Sequence, residues 1–503
     1  MYYDDINCRS AYTPGKFIDR GGYGTVIRVN RGNREYAAKL LFENINTGIE
    51  DIIEIDILSR LRHPNLMYNI DIVPWPKTSR RDRFCDFAII LPLASMTLHQ
   101  YSRNKDIELD QLIQLMFELV TALDFLHHNR VLHMDIKPHN VLIFMDNNNN
   151  RLKAVLTDFG LAILSNANGT RYYQRELVTI TYRAPELFKQ KYYYSTKVDI
   201  WSLGITFLEI LRHGRYVFDR TITYQTIYNL FNDSVRSKTI AGFLNHISSP
   251  YLPDIIDLLD KMLALNPKER PGTTAILQSP LFREFSQPLT IEQEVGIIEP
   301  DIEYMEECTI FQYRAFDDMV RISDYQNVKI EVVFLSADLF HRIMSLSPPL
   351  IPNIAQTWKM ILLVMMTCYW IANKMVEYAS ATSTAIAKFN NNIFSAEQLL
   401  QLEQLIIQRL NGVIYRSNFF THSPCYHRLL EAFELIRNCY IYSRINFEDW
   451  LAQTHPSCKQ YDTDTRFQSF YLQTQYYKYI SSHDNRFIAI SKLFAHEKST
   501  APP

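Results

Sequence analysis

The chain has 503 residues, 47% hydrophobic and 21% charged, enough apolar material for about three packed units and too much for a disordered polypeptide. Lys and Arg total 52 against 54 Asp and Glu, a formal charge of −2, and bulk nucleic-acid or anionic-membrane binders need a basic excess to displace counterions, so neither partner is expected. The seven cysteines are odd in number, scattered and without a C-x-x-C pair, which excludes the usual zinc spacings and predicts reduced thiols in an intracellular protein, cytoplasm and nucleus not being distinguished.

In chain order, the opening MYYDDINCRS carries acids and no apolar core, and Tyr2 stands where N-myristoylation requires glycine, so no targeting segment is expected. Phe17–Val29 and Glu35–Phe42 have strand-like patterning around a Gly-Gly-Tyr-Gly turn. Ile49, Ile52, Ile53, Ile57 and Leu61 recur at helical intervals, and Phe87–Leu93 reads as a short buried strand. Helices are predicted over Leu109–His128, Val198–Leu211, Ile222–Asn232 and Pro253–Leu265. A strand pair interrupts them at Val141–Phe144 and Ala154–Leu156, joined by the polar tract Asp146-Asn147-Asn148-Asn149-Asn150. A strand-rich front followed by a helical block predicts a two-lobed α+β unit, with lobes over 1–95 and 96–288. The acidic stretch 289–307 reads as a linker, 308–450 as an all-α bundle, and 451–503 as a tail without an assignable role. The most apolar run, Ile361–Ala372, lies between Lys359 and Lys374 and is too short for a membrane span of about 20 residues, so a buried helix is expected.

Several short strings carry chemistry. Ile18-Asp19-Arg20-Gly21-Gly22-Tyr23-Gly24-Thr25-Val26 lies between two strands, and glycines there let backbone amides approach a phosphate chain closely. Lys39, in Tyr36-Ala37-Ala38-Lys39, sits in an apolar strand where its charge needs an anionic partner; Glu54 on the next helix and nucleotide phosphates both qualify. Leu132-His133-Met134-Asp135-Ile136-Lys137-Pro138-His139-Asn140, Thr157-Asp158-Phe159-Gly160 and Tyr182-Arg183-Ala184-Pro185-Glu186 follow in that order.

Each string alone is weak, but together they make residues 15–285 resemble a eukaryotic protein kinase. The resemblance implies a bilobal kinase fold that uses ATP and Mg²⁺ to phosphorylate Ser/Thr acceptors of protein substrates. It implies that Gly21, Gly22, Gly24 and Val26 cover the nucleotide, and that Lys39, aimed by Glu54, holds its phosphates. Asn140 and Asp158 would bind Mg²⁺, Asp135 would orient and deprotonate the acceptor hydroxyl, and Lys137 would steady the transferred phosphate. Ala37, Leu91, Pro92 and Ala94 would line the adenine pocket. Glu186 with Arg270, and Asp199, resemble the family's structural ion pair and buried backbone anchor. Asp19 departs from the pattern by occupying the first glycine of the loop.

Glu54-Ile55-Asp56-Ile57-Leu58 and Leu177-Val178-Thr179-Ile180-Thr181-Tyr182-Arg183-Ala184-Pro185-Glu186 look most like cyclin-dependent kinases, and Arg183 implies a Ser/Thr-Pro preference. In that family three arginines gather an activation-loop phosphothreonine. Here their places hold Ile53, Met134 and Ile163, and the phosphothreonine's place holds Gln174, so a loop that includes Thr179 and Arg183 is expected to work without phosphorylation. Residues 308–432 resemble the cyclin box, with helices expected over Tyr313–Val320, Glu331–Ser345, Leu362–Glu377 and Ser395–Leu410, leading to Thr421-His422-Ser423-Pro424. The resemblance makes Lys374 and Glu403 the activator-interface pair, and it pairs Arg314 with His341 in place of the family's buried Arg–Asp. A kinase activated in cis by its own cyclin-like domain is therefore expected. The alternative is a kinase-fold scaffold whose helical half recruits another kinase or adaptor.

Overall fold

The computed structural model describes residues 12–20, 24–41, 52–75, 87–104, 107–145, 152–165, 170–172, 178–189, 193–285, 296–297, 328, 330–344, 346, 358–377, 382–389 and 394–415. The fold is mixed α+β and divides into two compact units. The first holds the described residues within Met1–Glu43, Asp51–Ile298 and Asn411–Val413, and the second those within Glu299–Leu410 and Ile414–Pro503.

The first unit opens with strands β1 (Thr13–Arg20), β2 (Gly24–Arg31) and β3 (Arg34–Leu41), then helix α1 (Ile52–Arg60), β4 (Leu61–Arg62), β5 (Asp71–Pro74) and β6 (Phe87–Pro92). A five-stranded antiparallel sheet forms in the order β1-β2-β3-β6-β5. Val29, Ala38, Leu40, Val73, Ala88 and Ile90 build the core on one of its faces and cover Tyr12, whose ring meets Tyr36 edge-on at 5.6 Å. Gly24 is required by this packing: a Cβ there would lie 2.5 Å from the Leu40 carbonyl oxygen. Helix α1, Ile52–Arg60, lies within the span that the apolar spacing marks, of which Ile49 falls outside the described residues, and it buries Glu54, Asp56 and Arg60 along with Ile52, Ile55 and Ile57.

Then follow β7 (Met96–Thr97), the short helix α2 (Leu98–Ser102), α3 (Leu109–His128) and β8 (Val131–Leu132). Helix α3 matches the predicted span, and its last turn carries His127 and His128, cations of the right sign for a helix C-terminus when protonated. The predicted strand pair is β9 (Val141–Met145) with β10 (Leu152–Leu156), in register from Val141↔Leu156 to Met145↔Leu152. Two further pairs were not visible in the patterning: β11 (Ile163–Leu164) with β8, and β12 (Thr170–Tyr172) with β13 (Tyr193–Ser195). Such two- and three-residue strands are too short to show a period of two.

Helix α4 (Thr196–Leu211) is buried along nearly its whole length, from Val198 to Leu211, and is the pillar of the helical lobe. Helices α5 (Tyr224–Phe231), α6 (Arg236–Phe243), α7 (Leu252–Met262) and α8 (Thr273–Leu277) complete it. Of these, α6 and α8 carry too few apolar residues to announce themselves. Within the stretch read as an acidic linker, Gly296–Ile297 forms β14, which pairs antiparallel with β4 immediately after helix α1.

The second unit is helical, with Ile330–Met344, Trp358–Val376, Ser383–Phe389 and Ala396–Arg409. The apolar run at its centre is a buried helix: Ile361 to Ala372 contains no residue more than 6% exposed. Among the described residues no helix is long and apolar enough to cross a membrane. Arg342 is buried against Asp338 at 3.5 Å and donates to the Ile414 carbonyl at 2.9 Å, which ties the first of these helices to the segment after the last. Tyr313–Val320, Arg314 and Thr421–Pro424 lie outside the described residues, as does the side chain of His341.

Candidate active site

Lys39 stands mid-strand in β3, opposite Val26 on one side and Ile89 on the other. Its ammonium reaches Glu54 on α1, at 2.5 Å from Oε1 and 2.6 Å from Oε2, and lies 3.5 Å from Asp158 Oδ1. The two residues found in separate elements of the sequence thus meet as a buried ion pair. Burial pushes the Glu54 carboxyl up, while the Lys39 ammonium and the Phe159 backbone amide pull the other way. A lone carboxylate at this depth would not stay charged; the lysine holds it there.

The catalytic segment is anchored from below. Asp199, fully buried at the start of α4, accepts hydrogen bonds from the backbone amides of His133 and Met134 and from His127 Nε2, each at 2.9 Å. This holds Met134 in the left-handed region at φ 66°. His133 Nε2 donates to the Thr157 carbonyl at 3.1 Å and Nδ1 accepts from the Asp135 amide at 3.2 Å, which requires a neutral ring with its proton on Nε2. Burial lowers the pKa of His133 in the same sense.

Asp135 gathers the remaining polar groups. Lys137 Nζ donates to its Oδ2 at 2.6 Å, the Thr179 hydroxyl to its Oδ1 at 2.6 Å, and Asn140 Nδ2 to its backbone oxygen and Oδ2 at 2.9 and 2.8 Å. Burial raises the carboxyl, but Lys137 and the Thr179 hydroxyl outweigh it and hold Asp135 below the usual carboxylate range. Thr179 also accepts from Lys137 at 3.1 Å, so the activation segment is fastened directly to the catalytic segment. Beside it, Val178 is buried with φ 72°, a conformation that β-branched residues rarely adopt, and its carbonyl accepts from Arg183 Nη2 at 3.2 Å.

The structure therefore brings together Lys39, Glu54, Asp135, Lys137, Asn140, Asp158 and Thr179. Ala37 and Leu91 face each other in register between β3 and β6 and are buried; Pro92 is the last residue of β6, and Ala94 lies two residues beyond its end. Asp19 turns onto the following backbone, accepting from the Arg20 amide at 2.7 Å. Glu186 and Arg270 form a two-pronged ion pair at 2.8 and 2.7 Å over Trp201. Of the places read as lacking phosphate-gathering cations, Met134 and Ile163 are buried and Ile53 is half-buried. Gly21, Gly22 and Gln174 lie outside the described residues. In the second unit Lys374 and Glu403 form a buried ion pair, with the Lys374 ammonium 4.0 Å from the centre of the Trp370 ring.

Three features escaped the sequence reading. Val178 carries no mark beyond an unremarkable valine. Glu209, buried in α4, accepts from the Tyr182 hydroxyl at 2.7 Å and the Val217 amide at 3.3 Å, and burial raises its carboxyl to about 7. His99, His139 and Tyr216 come together as an aromatic cluster although they are far apart in sequence.

The protein kinase domain family model matches residues 12–282, and the model for the N-terminal domain of cyclins matches 297–415. The chain is a serine/threonine protein kinase. Mitogen-activated protein kinase 2 of Arabidopsis thaliana is 34% identical over 305 residues, 55% of this chain and 78% of the relative. Mitogen-activated protein kinase 13 of Oryza sativa subsp. indica is 30% identical over 320 residues, covering 57% of this chain and 61% of its own length. Mitogen-activated protein kinase 7 of Arabidopsis thaliana is 31% identical over 305 residues, 80% of the relative. These kinase relatives are mitogen-activated protein kinases, whereas the motifs were read as most similar to cyclin-dependent kinases.

Protein kinases use ATP and Mg²⁺, and the donor set here suits both. Asn140 spends its amide hydrogens on Asp135, which turns its carbonyl oxygen to other use, and Asp158, 39% exposed, makes one long contact to Lys39. Two hard oxygen ligands of this kind fit Mg²⁺, which completes its shell with water and phosphate oxygens. Among the described residues no cluster of three or more His, Cys, Asp or Glu forms a self-sufficient metal cage.

Proposed function

We propose that this kinase phosphorylates Ser or Thr followed by proline, and that its cyclin-like unit activates it in cis without a phosphate on the activation segment. Asp135, kept ionised by Lys137 and Thr179, accepts the proton of the acceptor hydroxyl. The acceptor oxygen forms a bond to the γ-phosphorus as the bond from that phosphorus to the bridging oxygen breaks, leaving ADP. Lys39, aimed by Glu54, binds the α- and β-phosphates, and Lys137 faces the transferred group. When bound at Asn140 and Asp158, Mg²⁺ supplies positive charge against the phosphates.

The proline preference is supported by one observation above all. The Val178 carbonyl already accepts from Arg183 and, with φ at 72°, is turned out of the ordinary backbone arrangement. A substrate residue with an N–H at the following position loses water and finds no acceptor, at a cost of about 1–3 kcal/mol; proline has no N–H to strand. Activation in cis is supported by β14, which fastens Gly296–Ile297 to β4 directly after the Glu54 helix. The chain leading to the cyclin-like unit thus starts from the element whose position matters most. A covalent tether also raises the activator's effective concentration to roughly millimolar. The cyclin-type pair Lys374 and Glu403 is offered as the contact residues.

The test uses the full chain, ATP and paired peptides differing only in proline or alanine after the acceptor. A tenfold or larger advantage for proline, with specific activity independent of enzyme concentration and resistant to phosphatase, is expected. Equal rates on the pair refute the proline reading. Activity that rises with enzyme concentration refutes activation in cis, and loss on dephosphorylation of the activation segment refutes the third element.

A further inference from the structure

The activation segment is fastened at its start, in its middle and near its end. It enters through β11, which pairs with β8 directly before His133. Near its end the Thr179 hydroxyl donates to Asp135 and accepts from Lys137. The middle fastening is a strand pair. β12 (Thr170–Tyr172) runs antiparallel to β13 (Tyr193–Ser195), with Thr170 opposite Ser195, Arg171 opposite Tyr194 and Tyr172 opposite Tyr193.

β13 is a firm template for that pair. Tyr194 is buried, and Ser195, extended at φ −141° and ψ 166°, leads straight into α4. In the first turn of α4, Asp199 holds the backbone amides of His133 and Met134. Further along the same helix, Ser202 Oγ donates to the Tyr182 carbonyl at 2.9 Å and Glu209 accepts from the Tyr182 hydroxyl. One buried helix therefore fixes the catalytic segment, the template strand of the ladder and the chain just after Thr179.

The ladder leaves five residues, 165–169, between β11 and β12, and six, 173–178, between β12 and Thr179. Backbone pinned at such short intervals has little conformational freedom left to lose when Thr179 meets Asp135. Gln174, which stands in the place of a phosphothreonine, follows Tyr172 by two residues. A phosphate holds its loop through charge-assisted hydrogen bonds from arginines. Here Met134 and Ile163 are buried apolar residues and Ile53 brings no charge, so an anion at 174 would meet none of those three cations. Paired backbone N–H and C=O groups hold a segment without charge and without a modifying enzyme.

We propose that the β12–β13 ladder is the fastening that takes the place of a phosphate in this kinase, holding the activation segment so that Thr179 stays on Asp135. The inference rests on the reading that the enzyme works without a phosphate on this segment, and it names the device that makes this so. Thr170, Arg171 and Tyr172 are positioning residues: they act through Thr179 and touch neither nucleotide nor acceptor. Loss of the ladder therefore slows the transfer step and leaves the hold of Lys39, Asn140 and Asp158 on the nucleotide as it was.

The experiment uses the full chain after phosphatase treatment. Loss of activity on dephosphorylation of the activation segment overturns the functional reading and this inference with it. Opposite residues in an antiparallel pair alternate between exchanging hydrogen bonds and not, so the ladder predicts a period of two. Proline removes one N–H at a time in Thr170→Pro, Arg171→Pro and Tyr172→Pro. Either the central variant alone or the outer two alone should lose about 10- to 100-fold in kcat, with KM for ATP unchanged and the circular dichroism spectrum retained. Equal rates in all three, whether lost or kept, overturn the proposal. Thr170→Cys/Ser195→Cys gives a second reading that does not depend on the proline variants folding, because directly opposite residues stand within disulfide reach. Oxidised and dephosphorylated, this variant should keep the wild-type kcat, and in the impaired Arg171→Pro or Tyr172→Pro background the cross-link should restore activity about tenfold. No cross-link, a cross-linked enzyme without activity, or no rescue overturns the proposal while leaving the kinase reading intact.

Discussion

Replacing Glu209 by glutamine separates a buried acid from the backbone it supports. The carboxyl titrates near 7 instead of 4.5, because burial penalises its charge more than Tyr182, Val217 and Arg212 favour it. A raised folded-state pKa means that the folded protein holds a proton the unfolded chain releases. This contribution to stability is therefore complete below about 4.5 and lost as pH rises through about 7. A shift of about 2.5 units at 1.36 kcal/mol each corresponds to roughly 3 kcal/mol of pH-dependent stability. Glutamine cannot ionise, so the variant lacks that slope, even though it forfeits one acceptor and loses about 1–3 kcal/mol at every pH. Thermal melts of the full chain and of Glu209→Gln at half-unit steps from pH 5 to 8 read the difference. The wild-type Tm should fall toward the variant's as pH rises, and parallel curves would show that Glu209 does not titrate in this range.

Three other outcomes are expected. Glu54→Gln leaves Lys39 without its charged partner and should lower kcat/KM by about 10- to 100-fold, with the circular dichroism spectrum retained; undiminished activity would detach the pair from catalysis. Gly24→Ala drives a methyl group against the Leu40 carbonyl oxygen and should destabilise the sheet by about 1–3 kcal/mol, seen as a lower Tm. Lys374→Met strands the buried Glu403 carboxylate and should cost about 3–5 kcal/mol, while the double variant Lys374→Met/Glu403→Leu should recover most of it. A double variant as unstable as the single one would mean that packing at Lys374, and not its charge, is what matters.

The chemistry of Lys39, Asp135, Lys137, Asn140 and Asp158 was readable from the chain because phosphoryl transfer demands those residue types, and most fall in short strings with a recognisable order. Glu54 was readable as the partner of Lys39 for a simpler reason: a lysine in an apolar strand must find an anion. The long amphipathic elements were equally plain, α3 and the helices around Lys374 and Glu403 among them, since they repeat the apolar signal over several turns. The two-residue strands β8, β11 and β14 repeat nothing and exist only because a distant backbone offers hydrogen bonds.

Other properties had no local signature at all. Val178 adopts φ 72° against its own preference because Arg183 and the fastening of Thr179 to Asp135 hold it there. Glu209 looks like any helical glutamate until Tyr182 and Val217 close over it and exclude water. His99, His139 and Tyr216 are ordinary residues whose parallel stacking depends on Gly214 resting against α2. Reaction type is written in side-chain identity, which the chain carries openly. Charge state, backbone strain and surface shape arise from burial and from contacts between remote segments, and they come into being only when the polypeptide packs.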